Sequence, residues 1–124
     1  MISKIFSSKT IYFIITGFIA IVVGIIGGVV DIIQTEAVVE ASKVLAYPLY
    51  FFTLLGVFKI LGGIALLLPK NFEKAKSIAY AGFSFDFIFA SYSHFSVADE
   101  LIKILIPLFF LILLLISYKL KNKF

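Results

Sequence analysis

The sequence predicts an all-α integral membrane protein: a four-helix bundle with a short interfacial helix between the first and second spans. Three observations carry this. Hydrophobic residues make up 62% of the 124 positions and charged residues 15%, whereas soluble domains average roughly half and a quarter. The apolar residues fall into four runs, each long enough to cross a hydrocarbon core of about 30 Å as a helix. The lysines gather at one side of those runs. The expected spans cover 11–33, 49–68, 75–96 and 101–118, the interfacial helix 35–46, and all of 1–124 forms one membrane domain.

The first run follows a short polar stretch with Lys4 and Lys9. It is longer than the roughly 7–15 apolar residues of a signal peptide and lacks a small-x-small cleavage pattern, so it is read as a retained span. Thr16, Ala20, Gly24 and Gly28 recur every four residues along it, a stripe that lets another helix backbone approach closely. Packing within the monomer is one use of the stripe. A homodimer seam through Ala20, Gly24 and Gly28 is another.

Glu36, Glu40 and Lys43 then alternate with Val38, Val39, Ala41, Val44 and Leu45 at helical spacing, and Thr35 stands where a helix cap belongs. A helix of this pattern lies flat in the interface. Tyr47-Pro48 ends it and starts the second span, because the residue before a proline is pushed out of helical geometry. Pro69-Lys70-Asn71 turns the chain into the third span, and Ser96 to Glu100 into the fourth. Pro107 lies inside the fourth span and frees a backbone carbonyl, which membrane bundles tolerate when a neighbour supplies a donor.

Eight lysines (4, 9, 70, 74, 76, 119, 121 and 123) flank the side that holds both termini, while only Lys43 and Lys103 flank the other. The positive-inside rule makes the terminal side cytoplasmic. The net charge of +4 is thereby explained as topology. All the basic residues are lysine, so the guanidinium fork favoured for phosphate and base recognition is missing, and no nucleic-acid partner is expected. Cysteine is absent and histidine occurs once, which excludes dithiol redox chemistry, bis-histidine haem and a typical transition-metal centre. No catalytic motif and no intrinsic cofactor site is legible.

The candidate site lies in the second and third spans. Each carries one ionisable residue near its centre, Lys59 and Asp86, and such residues are costly in hydrocarbon and usually face a bundle interior or a cavity. Counted inward from Pro69 and Ser77, both sit roughly 14 Å from the terminal boundary, so they are expected to pair. Gly56, Gly62 and Gly63 flank one, and Ala79, Gly82, Ala90 and Ser93 the other. A strut joining two helices and a proton-accepting or ligand-binding pair are both open readings. His94, Asp31 and Ser93 form an expected outer polar cluster, with Asp31 the partner of His94 or Lys103. Phe83, Phe85, Phe87 and Phe89 surround Asp86; packing and lipid contact explain most of them, and rings of this kind also stack on a quinone headgroup.

The pieces Tyr47-Pro48, Gly56-x-x-Lys59, Gly82-Phe83-x-x-Asp86 and Tyr92-Ser93-His94 together resemble the DoxX-like family of small four-helix membrane proteins, over roughly Gly17 to Tyr118. The resemblance implies a bacterial inner-membrane protein whose polar positions are Lys59, Asp86 and His94. It also implies an association with quinone-linked redox systems, and so a quinone as ligand and a redox enzyme as partner. The rival readings are a small-solute or proton pathway, and a structural scaffold for a partner protein.

Overall fold

The computed structural model describes residues 7–121. Helix α1 (Ser8–Ile33) begins where the Ser7 side chain accepts the Thr10 N–H at 3.2 Å, satisfying one of the donors a helix start leaves free. Its centre, Ile19–Ile26, is wound as a π-helix. Gln34 stops it in the left-handed region at φ 54°. Helix α2 (Glu36–Leu45) is the short amphipathic helix, with Val38 and Ser42 buried and Glu36, Glu40 and Lys43 exposed. Thr35 stands at its start, but not as the side-chain cap expected: its carbonyl accepts the Val39 N–H at 3.0 Å, while its hydroxyl is buried without a hydrogen bond.

Helix α3 (Leu49–Leu67) follows Pro48, and a single tight turn at Lys70–Phe72 leads into α4 (Glu73–Ser96). Helix α5 (Leu101–Leu120) carries Pro107. That proline leaves the Lys103 carbonyl without its helical donor, and one residue further on Ser91 donates to the Ile104 carbonyl at 2.8 Å. Among the described residues there is no strand.

The long helices alternate in direction. α3 packs along α1, α4 beside α3, and α5 against α4 and the first half of α1. Ser8, Leu67, Glu73 and Leu120 thus share one end, here called the terminal end, and α2 lies at the other, distal end. The core is built from Ile19 and Ala20 of α1, Leu66 of α3, Tyr80, Phe83 and Phe87 of α4, and Leu114 of α5. Between the charged helix ends the exterior is largely apolar, with exposed Phe13, Ile14, Phe58, Ile78, Phe85 and Phe109 among many others, a surface suited to hydrocarbon and not to water.

Among the described residues, three helices are long and apolar enough to cross a membrane: α1, α3 and α5. The four-span expectation also included α4. That helix has 24 residues, ample length, but Lys74, Lys76, Asp86, His94 and several serines dilute its apolarity. Lys4 and Lys123, which contribute to the charge asymmetry, lie outside the described residues.

The backbones of α1 and α3 approach closely where small residues face each other. A Cβ on Gly28 would meet the Gly56 carbonyl at 2.6 Å, one on Gly56 would meet the Gly28 carbonyl at 2.5 Å, and one on Gly63 would strike the Ala20 carbonyl. Gly24 lies against the Gly63 Cα and the Lys59 carbonyl. The Ala20/Gly24/Gly28 stripe is therefore occupied by α3 of the same chain and offers no seam to a second copy. Because backbone and not a flexible side chain blocks the space, Gly56→Ala and Gly63→Ala should each cost about 1–3 kcal/mol. Gly17→Ala and Gly82→Ala, which meet nothing within 4 Å, should be neutral or stabilising by up to about 1 kcal/mol. Thermal unfolding of the detergent-solubilised chain, followed by circular dichroism, separates the two classes.

Candidate functional site

The glycine contact decides what Lys59 touches. It draws the distal half of α1 onto α3, leaving the Asp31 Cβ only 3.1 Å from where a Cβ on Gly56 would stand. Lys59 is one helical turn from Gly56, and its flexible stem spans the remainder, so that Lys59 Nζ lies 3.0 Å from Asp31 Oδ2. The pair is enclosed: Asp31 is buried and Lys59 partly so. Lys59 is thus paired with Asp31 and not, as expected, with Asp86; Asp31 in turn meets neither His94 nor Lys103.

Asp86 nevertheless stands level with Lys59. The Phe83 ring packs 3.0 Å from a Cβ position on Gly62, and one turn toward the distal end from these two residues lie Asp86 and Lys59, both in the walls of the same cavities. Asp86 makes no hydrogen bond or ion pair among the described residues. Ala and Gly at Ala79 and Gly82 keep this side of α4 open.

Two cavities meet at these residues. The larger, about 900 Å³, is a groove between α3 and α4 whose walls include Phe51, Phe58, Phe85, Phe89 and Tyr92. The smaller, about 250 Å³, runs toward the distal end and is bounded by Ala41 and Leu45 of α2, by Tyr47, Ser93 and His94, and by Pro107. Phe51, Leu55, Lys59, Asp86 and Phe89 line both. Of the four phenylalanines around Asp86, Phe83 and Phe87 turn into the core, while Phe85 and Phe89 are exposed on the groove side.

At the distal end, Ser93 meets the Tyr47 hydroxyl at 2.5 Å and donates to the Phe89 carbonyl at 2.7 Å. Tyr47 stacks on Phe89, with ring centroids 5.8 Å apart. His94 Nδ1 lies 2.9 Å from Asp99 Oδ2, and Lys103 approaches the other oxygen at 3.9 Å. Asp99 is the group that organises this turn. The Glu100 N–H at 2.8 Å, then the His94 contact, hold its carboxyl below the usual carboxylate range. His94, Asp31 and Ser93 therefore belong to three separate contacts and not to one cluster, although His94 and Ser93 share the smaller cavity with Asp86.

A second polar group, at the terminal end, has no counterpart in the sequence reading. Lys76 is buried and donates to the Tyr12 hydroxyl at 3.0 Å and to the Leu66 and Leu68 carbonyls at 3.1 and 2.8 Å. It satisfies the end of α3, where free carbonyls and the helix dipole both favour a cation. Beside it, Ser117 bonds both Thr16 and, at 2.7 Å, the Tyr80 hydroxyl, tying α1, α4 and α5 together. As a lysine at a helix boundary, Lys76 looked like a topology signal; its spacing of four from Tyr80 was the available hint that both share one face.

Among the described residues no three His, Cys, Asp or Glu side chains converge as metal ligands would. A family model described as the DoxX-like family matches residues 14–117, which takes in both cavities, α2, α3 and α4, and most of α1 and α5. No curated protein and no solved structure matches the chain.

The pairing makes a sharp energetic expectation. Lys59→Leu alone strands the buried Asp31 and should destabilise the chain by about 3–5 kcal/mol, whereas Lys59→Leu with Asp31→Leu should cost markedly less. Asp86→Leu should be tolerated, and a double-mutant cycle by thermal unfolding should show coupling of Lys59 to Asp31 larger than to Asp86. At the distal turn, a carboxyl held low when folded contributes stability that is complete above its unfolded value of about 3.9 and is lost as pH falls through the lower folded value. The difference in thermal midpoint between wild type and Asp99→Asn should therefore be smaller at about pH 3 than at about pH 5.

Proposed function

The chain belongs to the DoxX-like family, and from that premise we propose that it binds the polar head of a lipid-soluble quinone in the groove between α3 and α4, as an accessory of a quinone-linked redox enzyme. One observation carries this reading. An aromatic groove of about 900 Å³ lies in an exterior made of lipid-compatible side chains, and in it stands a carboxylate, Asp86, that no protein group has claimed. Ligand pockets are typically apolar hollows of this size with a few placed polar groups, and an ionisable residue within a membrane bundle is a functional candidate by default. The chain itself supplies no redox centre. Electrons would be handled by the partner enzyme, and Asp86 with Lys59 would orient the headgroup or pass its proton.

This reading takes α4 as a fourth span, since Asp86 and Lys59 then share one depth in the bilayer. It sets the protein in a bacterial inner membrane with the terminal end cytoplasmic. Lys9, Lys70, Lys74, Lys76, Lys119 and Lys121 at that end, against Lys43 and Lys103 at the other, favour this orientation. A second reading, passage of a proton or small solute, draws on the smaller cavity, whose walls include both Asp86 and His94.

Mass spectrometry of lipids co-purifying with the detergent-solubilised protein from quinone-containing membranes tests the proposal. Quinone should accompany the wild type and fall at least about tenfold in Asp86→Leu, the loss expected when one hydrogen bond of about 1.4 kcal/mol disappears, with the yield of folded protein unchanged. Absence of quinone from both would overturn the quinone reading and leave the proton pathway as the one to pursue.

A further inference from the structure

We propose that the groove selects the reduced, hydroxyl-bearing form of its ligand, a quinol over the corresponding quinone, with Asp86 accepting the donor hydrogen. The inference rests on the reading of the groove as a ligand site and adds which chemical form that site prefers.

It follows from counting charges and donors. Three ionisable groups meet here, Asp31, Lys59 and Asp86, with one positive charge between two negative ones. Lys59 is paired with Asp31 at 3.0 Å, beside the glycine contact, and its remaining ammonium hydrogens can donate to a quinone oxygen and a quinol oxygen alike, so they do not tell the two forms apart. The pair is neutral together and leaves Asp86 over. Besides Lys59 and Asp86, Tyr92 is the one polar side chain in the groove wall, and it makes no hydrogen bond with Asp86.

A carboxylate that opens on hydrocarbon without a donor is costly. What removes the cost is a hydrogen placed on its oxygen, and a hydroxyl headgroup carries one. A quinone carbonyl is an acceptor only and would set lone pair against lone pair. The apolar walls cannot distinguish the two forms, because the ring and its tail are the same in both. Discrimination therefore falls to Asp86, and a site built to accept a hydrogen bond rejects an analogue lacking the donor more strongly than an apolar pocket rejects a change of size. The order reverses only where Asp86 itself holds the proton and donates to a carbonyl.

Native mass spectrometry of the full chain in lipid nanodiscs tests this with para-octylphenol and para-octylanisole, which differ in whether the ring oxygen carries hydrogen or methyl, and with a decyl benzoquinone and its quinol kept reduced. The expected result is that phenol and quinol bind about tenfold more tightly than their partners. The preference should vanish in Asp86→Leu and weaken in Asp86→Asn, which keeps the side-chain volume and one carbonyl acceptor and guards against a folding defect in the first variant. Equal binding of phenol and anisole overturns the selection while leaving the groove a ligand site. Tighter binding of the quinone also overturns it, by making Asp86 the donor. Failure of all four probes to bind overturns the ligand reading and this inference together.

Discussion

The backbone contact between α1 and α3 is the constraint on which the rest of the molecule depends. In hydrocarbon no hydrophobic driving force pulls helices together, so close packing of small residues must do it. Ala20, Gly24 and Gly28 provide that surface on one helix, Gly56 and Gly63 on the other. Once these backbones touch, Asp31 is carried to Lys59, the ammonium is neutralised, and Asp86 is left alone on the neighbouring helix. The vacancy in the charge pattern at the groove is thus a product of glycine placement far more than of any residue lining the groove.

The two ends of the bundle are held differently. At the terminal end Lys76 closes the carbonyl terminus of α3, and Ser117 joins three helices, so this end is a lattice of satisfied polar groups. Toward the distal end the helices enclose cavities, and contacts are made by single pairs such as Tyr47 with Ser93 and His94 with Asp99. The larger groove runs past both levels, from Ala65 and Ala75 near the terminal end to Phe51 and Tyr92 near the distal one, and the core residues Ile19, Ala20 and Leu114 lie outside its walls.

How much of this could be read from the sequence divides along a physical line. Apolar runs, Tyr47-Pro48, Pro69 and the amphipathic stretch from Glu36 to Lys43 are local signals, and the helices they mark appear within a few residues of their expected bounds. Apolarity alone was less decisive for α4, which buries Lys76, Ser91 and Ser93 against its neighbours. Counting rise per residue along α3 and α4 points to a common level for Lys59 and Asp86, and both line the same cavities. Their partners were not legible, because pairing depends on which helix faces are in contact. Matching the two small-residue stripes as antiparallel neighbours, Gly28 to Gly56 and Ala20 to Gly63, sets Asp31 opposite Thr53, so the pairing with Lys59 depends on the reach of the lysine stem and has no direct register signal. For Lys76 there was no register signal either, since its role is defined by carbonyls of another helix, and carbonyls have no letter in the sequence.

The Lys59–Asp31 pair also bears on how the chain is made. Helices leave the ribosome in order, so α1 reaches the bilayer before α3. A lysine near the centre of a span resists insertion by about 2.5–3.5 kcal/mol, but Lys59 arrives where Asp31 is already waiting. The ion pair thus makes α1 and α3 a charge-matched pair of helices, and the cost of placing the lysine in hydrocarbon is offset once the first span stands beside it.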